Sequence, residues 1–218
     1  MRDQLGERLP RLTDSEIALL READLDFYGM NYYTAQFGRH RTTPAPDTDF
    51  IGNLDELQEN KNGVSIGDPS GVFWLRSAPS CFRKHLVRAY KRYGKTIYIT
   101  ENGCPCPGED TMTRNESVKD DYRQRYFSEH LDALVQARQD GAEVAGYFAW
   151  SLLDNFGKAL QLDNALVTPG LTQFVEWFSG YDIRFGVTFT DYETLERTPK
   201  QSALMIQDMI KQRTQASS

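Results

Sequence analysis

Thr96-Ile97-Tyr98-Ile99-Thr100-Glu101-Asn102-Gly103 is the stretch on which the fold turns. Its first five residues are β-branched or aromatic, types that pack well on a pleated sheet, so they read as a short strand. Asn102-Gly103 reads as the turn after it. Before it, residues 78–93 place Phe82, Leu86, Ala89 and Tyr90 on one helical face, and Gly94 stops that helix. After it comes a Pro/Gly-containing loop from Cys104 to about Arg114. Residues 116–140 then predict a longer helix, with Tyr122, Tyr126, Leu131, Leu134 and Val135 inward and Gly141 closing it.

Two further apolar runs flank this unit. Leu25-Asp26-Phe27-Tyr28-Gly29-Met30-Asn31-Tyr32-Tyr33 and residues 144–153, beginning Val144-Ala145-Gly146-Tyr147, each read as a buried strand. Thr13, three residues before Glu16, marks a capped helix over residues 13–23. The polar segment from about Gly38 to Pro69 reads as a long surface loop. Residues 186–192 read as a short strand outside the main sheet. Pro199 opens a last helix to about Lys211, with Ala203, Ile206 and Ile210 inward. Strand, helix, strand, helix, strand, helix is the order of parallel βα units.

Composition narrows the function classes. The 218 residues are 39% hydrophobic and 26% charged, as in globular chains. A net charge of −6 and a pI near 5.2 argue against a nucleic-acid partner. No apolar run approaches the roughly 18 residues of a membrane span. Three cysteines, with Cys104 and Cys106 as a C-x-C pair, do not suggest a disulfide framework. His40, His85 and His130 share no metal-ligand spacing, so no metal is expected. Aromatic content is 12%, with eleven Tyr and three Trp; aromatic faces stack on sugar rings, and equally fill cores.

In a βα barrel, polar groups at the C-terminal ends of strands face the site. Three strand ends here carry such groups: Asn31 and Tyr33; Glu101 and Asn102; Trp150, Asp154 and Asn155. Glu101 fits a carboxylate that attacks an anomeric carbon, and by spacing alone fits equally a loop-capping residue. Tyr33 fits a hydrogen-bond partner for Glu101 or a packed strand aromatic. Trp150 fits a sugar platform or a core tryptophan. The Glu176-Trp177 pair suits neighbouring sugar hydroxyls or an ordinary loop, and Arg184-Phe185-Gly186 fits a simple turn.

Taken together, four runs resemble glycoside hydrolase family 1, and within it the fungal β-glucosidases. They are Asp26 to Tyr33, Tyr98 to Gly103, Gly146 to Phe156 (ending Trp150-Ser151-Leu152-Leu153-Asp154-Asn155-Phe156), and Gly180 to Val187. The resemblance implies the C-terminal part, about strands six to eight, of a (β/α)8 barrel. It implies Glu101 as nucleophile and Tyr33 as the residue that orients it. It implies Asn31, Trp150, Glu176, Trp177 and Phe185 as substrate-binding: Trp150 lining the glucose subsite, Glu176 and Trp177 on sugar hydroxyls, Phe185 closing the subsite. The implied reaction is hydrolysis of terminal β-D-glucosyl residues with retention, without a cofactor. Its substrate would be a β-glucoside or a short β-linked glucose oligosaccharide. A cytoplasmic location is favoured over a secreted one.

Two departures qualify the resemblance. The family's acid/base Glu stands in a Thr-Phe/Leu-Asn-Glu-Pro run after the fourth barrel strand, and this chain has no such run. Inactivity of the chain by itself is therefore expected, and a non-catalytic sugar-binding relic is the alternative. The second departure is inside the family's Asp-Asn-Phe-Glu-Trp motif, where nineteen residues, Gly157 to Val175, separate Phe156 from Glu176. Gly157-Lys158, Leu171-Thr172 and Val175-Glu176 can be encoded with a donor, branch-point and acceptor pattern, which suggests a retained intron of 57 nucleotides.

Overall fold

The computed structural model describes residues 6–43, 45–46, 52–155 and 183–215. Helix α1 (Asp14–Glu22) begins at Thr13, whose hydroxyl accepts from the Glu16 amide while the Glu16 carboxylate accepts from the Thr13 amide. That is the predicted capping box, satisfying amides that no helical carbonyl reaches. Strand β1 (Tyr28–Asn31) follows, then β2 (Phe37–His40), β3 (Leu54–Leu57), β4 (Asp68–Pro69) and β5 (Arg76–Ser77). Helix α2 (Pro79–Tyr93) ends at Gly94, whose φ of 62° is the left-handed conformation a glycine adopts without strain. Strand β6 (Ile97–Asn102), helices α3 (Arg114–Ser117) and α4 (Asp121–Gln139), and strand β7 (Val144–Ala149) complete the main layer. The described chain finishes with β8 (Thr188–Thr190), β9 (Arg197–Pro199) and α5 (Gln201–Gln215).

The main sheet has the order β1-β6-β7, all parallel, as the βα reading predicts. Between it and the helices lies a core of Met30, Tyr32, Phe82, Leu86, Ile97, Ile99, Ala133, Leu134 and Val144. The pairing is irregular at two places: between Ile97 and Tyr98, where β7 advances two residues while β6 advances one, and at the C-terminal end of β6. Met30 faces Ile99 but Asn31 faces Glu101, so β6 advances two residues while β1 advances one. On the other side Ile99 faces Tyr147 and Asn102 faces Ala149, so β6 advances three while β7 advances two. Both neighbours thus register one extra residue in β6 near Thr100. A bulge of this kind shifts the alternation of side chains beyond it. Ile97 and Ile99 are buried; after the bulge the fully buried position is Asn102, and Glu101 is only half-buried.

Several expectations need correction. The run from Leu25 is a strand only from Tyr28, and Leu25 and Phe27 are exposed, because β1 is a sheet edge. The run from Val144 stops being strand at Ala149, and Phe148 is exposed for the same reason. The segment read as loop contains the antiparallel pair β2–β3, in which Arg39 and Arg41 both bridge to Asp55. Its polar side chains gave no hydrophobic alternation to read. The predicted helix over 116–140 is broken between α3 and α4 at Asp120, whose φ is 30°. Residues 186–192 do hold a short strand, β8, paired with β9 rather than with the main sheet. Pro199 ends β9 instead of opening α5, and Ile210 on α5 is exposed.

The break at Asp120 serves a buried ionic cluster. Arg123, fully buried on α4, bridges to Glu109 and, at 2.8 Å, to Asp120. Lys200, also fully buried, reaches Glu109 at 2.6 Å and Asp154 at 2.9 Å, and Arg184 reaches Asp154 at 2.7 Å. Three cations meet three carboxylates, so the cluster is neutral. Removing one member of such a cluster strands its partners, at a cost of about 3–5 kcal/mol. The cluster ties the residues after β6 and β7 to the segment from Ile183 to Ser202.

Two buried groups make the fold acid-sensitive. His130 Nδ1 donates to the Tyr126 carbonyl at 2.8 Å, and its buried Nε2 has no partner among the described residues. Burial lowers this imidazole from 6.5 to about 4. Burial also opposes ionisation of Glu109, but Arg123 and Lys200 outweigh it and hold the carboxyl at about 2. Asp120 acts oppositely: burial raises its carboxyl against Arg123 and Ser202, so its contribution grows in acid. For His130 the unfolded chain takes up a proton below 6.5 that the folded chain refuses until about 4, which amounts to about 3 kcal/mol of stability lost across that window. Glu109 adds a second loss from 4.5 down to about 2. Thermal unfolding followed from pH 8 to pH 3 should show the first loss in the native chain. His130→Phe, which keeps the ring stack on Tyr126, should flatten the upper part of that profile and leave the lower; an unchanged profile would assign the sensitivity elsewhere.

Candidate active site

The site is built on the adjacent C-terminal ends of β1, β6 and β7. The Tyr32 amide donates to the Glu101 carbonyl at 2.9 Å, and the Trp150 amide donates to the Asn102 carbonyl at 2.8 Å. These two bonds carry the sheet alignment past the strand ends and bring Tyr33, Glu101 and Trp150 side by side. The Tyr33 hydroxyl donates to Glu101 Oε2 at 2.6 Å, a short bond of the kind made to an ionised acceptor. Among the described residues Glu101 Oε1 has no hydrogen-bond partner. The carboxylate is therefore held by one oxygen and leaves the other available.

Tyr33 is itself fixed by two rings set edge-on to it, Trp74 at 6.1 Å and Phe185 at 5.9 Å between centroids. Phe185 is fully buried. Asp154 fixes the backbone around it: Oδ1 accepts from the Gly186 amide at 3.0 Å, and Oδ2 accepts from Arg184 and the Thr190 amide. The ionic cluster described above thus reaches Glu101 through Asp154, Phe185 and Tyr33.

Beneath the carboxylate, Asn102 joins all three strand ends to α4. Its Nδ2 donates to the Tyr32 carbonyl at 2.7 Å and to the Tyr126 hydroxyl at 2.9 Å, and its Oδ1 accepts from the Tyr147 hydroxyl at 2.6 Å. The Tyr126 hydroxyl in turn donates a hydrogen bond to the Tyr33 carbonyl at 2.9 Å. Gly103 follows because nothing larger fits. A Cβ there would stand 1.7 Å from the Trp150 carbonyl oxygen. The peptide from Trp150 to Ser151 is cis.

The structure thus brings together Glu101, Tyr33 and Trp150, with Phe185 behind Tyr33. Asn31 is exposed, and its Oδ1 accepts from the Thr100 hydroxyl at 2.6 Å. Glu176, Trp177 and the segment 157–175 lie outside the described residues. Sequence reasoning missed Trp74, the hub role of Asn102, and Tyr126. Their signals were weak: a Trp in the short apolar run Val72 to Leu75, an Asn that read as turn, and a Tyr that read as helix core. It also missed that Arg123, Glu109 and Lys200 are buried together, since charged residues far apart in sequence carry no mark of burial.

With this geometry in place, the likeness to known proteins is specific. The profile of Glycosyl hydrolase family 1 matches residues 1–166 and 162–215. Beta-glucosidase 1B of Phanerodontia chrysosporium is 38% identical over 203 residues, covering 93% of this chain and 33% of the relative. A family 1 β-glucosidase of Humicola insolens, solved with glucose, is 42% identical with a TM-score of 0.81, covering 97% of this chain and 41% of that one. Beta-glucosidase 2 of Trichoderma reesei, solved with Tris, is 43% identical with the same TM-score, covering 97% and 42%. The chain therefore spans between a third and somewhat over two-fifths of these relatives. Its parallel layer is a part, about strands six to eight, of a (β/α)8 barrel and closes no barrel by itself. On its matched length, its identity and its strand-end geometry, this chain belongs to glycosyl hydrolase family 1.

Proposed function

We propose that this chain carries the nucleophile half of a retaining β-glucosidase, with Glu101 as the attacking carboxylate. The observation that carries the reading is the 2.6 Å bond from Tyr33 to Glu101 Oε2 at the ends of adjacent strands. It orients the carboxylate without occupying Oε1. In the first step Oε1 forms a bond to the anomeric carbon as the bond to the leaving oxygen breaks, and that oxygen takes a proton from an acid. In the second step water attacks the same carbon, gives its proton to the conjugate base, and frees Glu101. Trp150, beside Glu101, would offer its indole face to the ring, and Glu176 with Trp177 would bind the remaining hydroxyls. The names of the relatives, β-glucosidases throughout those described, support glucose as the sugar.

This mechanism needs a second carboxyl roughly 5–5.5 Å from the nucleophile. The acid/base residue belongs to the fourth strand of the barrel, which this chain does not contain. The chain alone should therefore not turn over an aryl β-glucoside, and measurable turnover by it would sink the two-carboxylate reading. In a complete barrel carrying this chain, Glu101→Gln should lower turnover by about 10⁴-fold or more, as loss of a covalent nucleophile does. Tyr33→Phe removes one charge-assisted hydrogen bond of about 1.5–3 kcal/mol and should lower kcat by about 10- to 100-fold. Equal rates for Tyr33→Phe and the parent would remove Tyr33 from the site.

The nineteen residues Gly157–Val175 form, in this reading, a stretch foreign to the family that separates Phe156 from Glu176. The family profile matches the chain in two pieces that overlap at residues 162–166, inside this stretch. A retained intron accounts for its length and its codon possibilities. Mature transcripts should lack these 57 nucleotides and encode Phe156 directly before Glu176; transcripts that all keep them would make the segment a true insertion.

A further inference from the structure

Charge on this chain is segregated along one face of the helix layer. Helix α2 carries five cations, Arg83, Lys84, Arg88, Lys91 and Arg92, and no carboxylate, in a chain whose net charge is −6. It lies beside α4, and a groove of about 800 Å³ runs between the two. Both helices lead back into parallel strands, α2 into β6 and α4 into β7, so they run in the same direction. Arg83, Lys84, Arg88 and Lys91 recur at helical spacing along one wall of the groove. Glu129, Asp132, Gln136 and Asp140, three or four residues apart, form the other wall. Val87, half-buried, and Ala133, buried, give the groove an apolar floor. Arg83 crosses it to Asp140 at 2.6 Å and to Gln136 at 2.7 Å, so those two groups are served within the chain. Lys84 and Arg88 on one wall, and Glu129 and Asp132 on the other, make no ion pair among the described residues. Lys84, Arg88 and Asp132 are exposed, and Glu129 is half-buried.

We propose that this groove is a two-fold interface between two copies of this chain, the basic wall of α2 in each seated on the acidic wall of α4 in the other. The charge pattern selects both the occupant and the axis. A uniformly acidic partner is held by α2 and repelled by α4, and a uniformly basic one the reverse. A face whose two halves carry opposite charge is complementary to itself turned over. Rotation about an axis along the groove lays α2 over α4 and α4 over α2, so both contacts attract. Rotation about an axis across the groove lays α2 on α2 and sets its five cations against five. In the first arrangement Lys84 and Arg88 of each copy meet Glu129 and Asp132 of the other, around Val87 and Ala133. The net charge of −6 opposes approach at long range, where salt screens it beyond about 8 Å; charges in contact are screened less. The 15 residues of α2 make it about 22 Å long, so two helices side by side present a face of about 20 by 22 Å. That is the small end of specific interfaces, and the dimer is a weak one. The contact lies on the helix layer, away from the strand ends, and requires nothing of the reaction at Glu101.

The test reverses each wall in turn in the 218-residue chain and reads mass by sedimentation equilibrium at physiological salt. The parent should form a reversible dimer with a Kd of about 10 µM, as an interface of this size allows. Lys84→Glu with Arg88→Glu makes both walls acidic; Glu129→Lys with Asp132→Lys makes both basic. Each pair of changes should raise the Kd by about 100-fold or more. An equimolar mixture of the two altered chains should restore a 1:1 dimer, because every wall again meets its opposite. Association through any other surface is indifferent to this exchange. Zero-length carbodiimide coupling of a mixture of plain and isotope-labelled parent needs no substitution. It should yield mixed-isotope peptides that join Lys84 to Glu129 or Asp132. A parent that is monomeric at about 100 µM overturns the proposal. So does self-association that both reversals leave unchanged, or a dimer whose mixed peptides join only other residues. A monomer that instead binds a polyglutamate peptide on α2 assigns the basic wall to an acidic partner and equally overturns the two-fold contact.

Discussion

One extra residue in β6 sets the site. Strict alternation from Ile97 and Ile99 would send Glu101 to the side of the sheet packed on the helices. The bulge near Thr100, registered by both neighbouring strands, moves the alternation on by one. Asn102 then takes the buried position, and Glu101 is turned to the half-open mouth where Tyr33 meets it. A bulge beside a reactive side chain re-aims that side chain without changing the strand that carries it. Everything the carboxylate can do here depends on that local change of phase.

The bulge in turn needs support, because an irregular strand end leaves backbone groups that the ladder no longer serves. Asn102 supplies it. One carboxamide binds a carbonyl from the β1 end, a hydroxyl from α4 and a hydroxyl from β7. Its burial is tolerated because all three of these bonds are made; a buried amide lacking them would cost several kcal/mol. The ionic cluster of Arg123, Glu109, Asp120, Lys200, Asp154 and Arg184 acts one layer further out. Its value is positional rather than energetic, since buried ion pairs roughly balance their desolvation. It fixes the Arg184-Phe185-Gly186 backbone, and through Phe185 the ring of Tyr33.

The same structure shows why this sheet is only part of a fold. Its helix side is a well-packed core. Its two edges are unpaired among the described residues, and Leu25, Phe27 and Phe148 beside them are exposed. Read together, the packed face and the open edges fit a three-stranded part of a larger parallel barrel.

Much of this was legible in the sequence. The βα order, the capped helix at Thr13 and the stop at Gly94 follow from local patterns, because turns, caps and periodicity are properties of neighbouring residues; the choice of Glu101 and Tyr33 came from the resemblance to the family's motifs. The family motifs fixed the barrel class for the same reason: they are short and contiguous. What the sequence did not show is what depends on residues brought together from afar. The exposure of Leu25 and Phe148 depends on β1 and β7 being the outer strands of the described sheet. The break at Asp120 depends on Arg123 and Ser202 sharing its carboxylate. The phase of Glu101 depends on a register that only β1 and β7 can define. Sequence alone determined which residues are chemically able to act; only the tertiary structure decided where they point, because direction in a sheet is set by pairing and not by the strand itself.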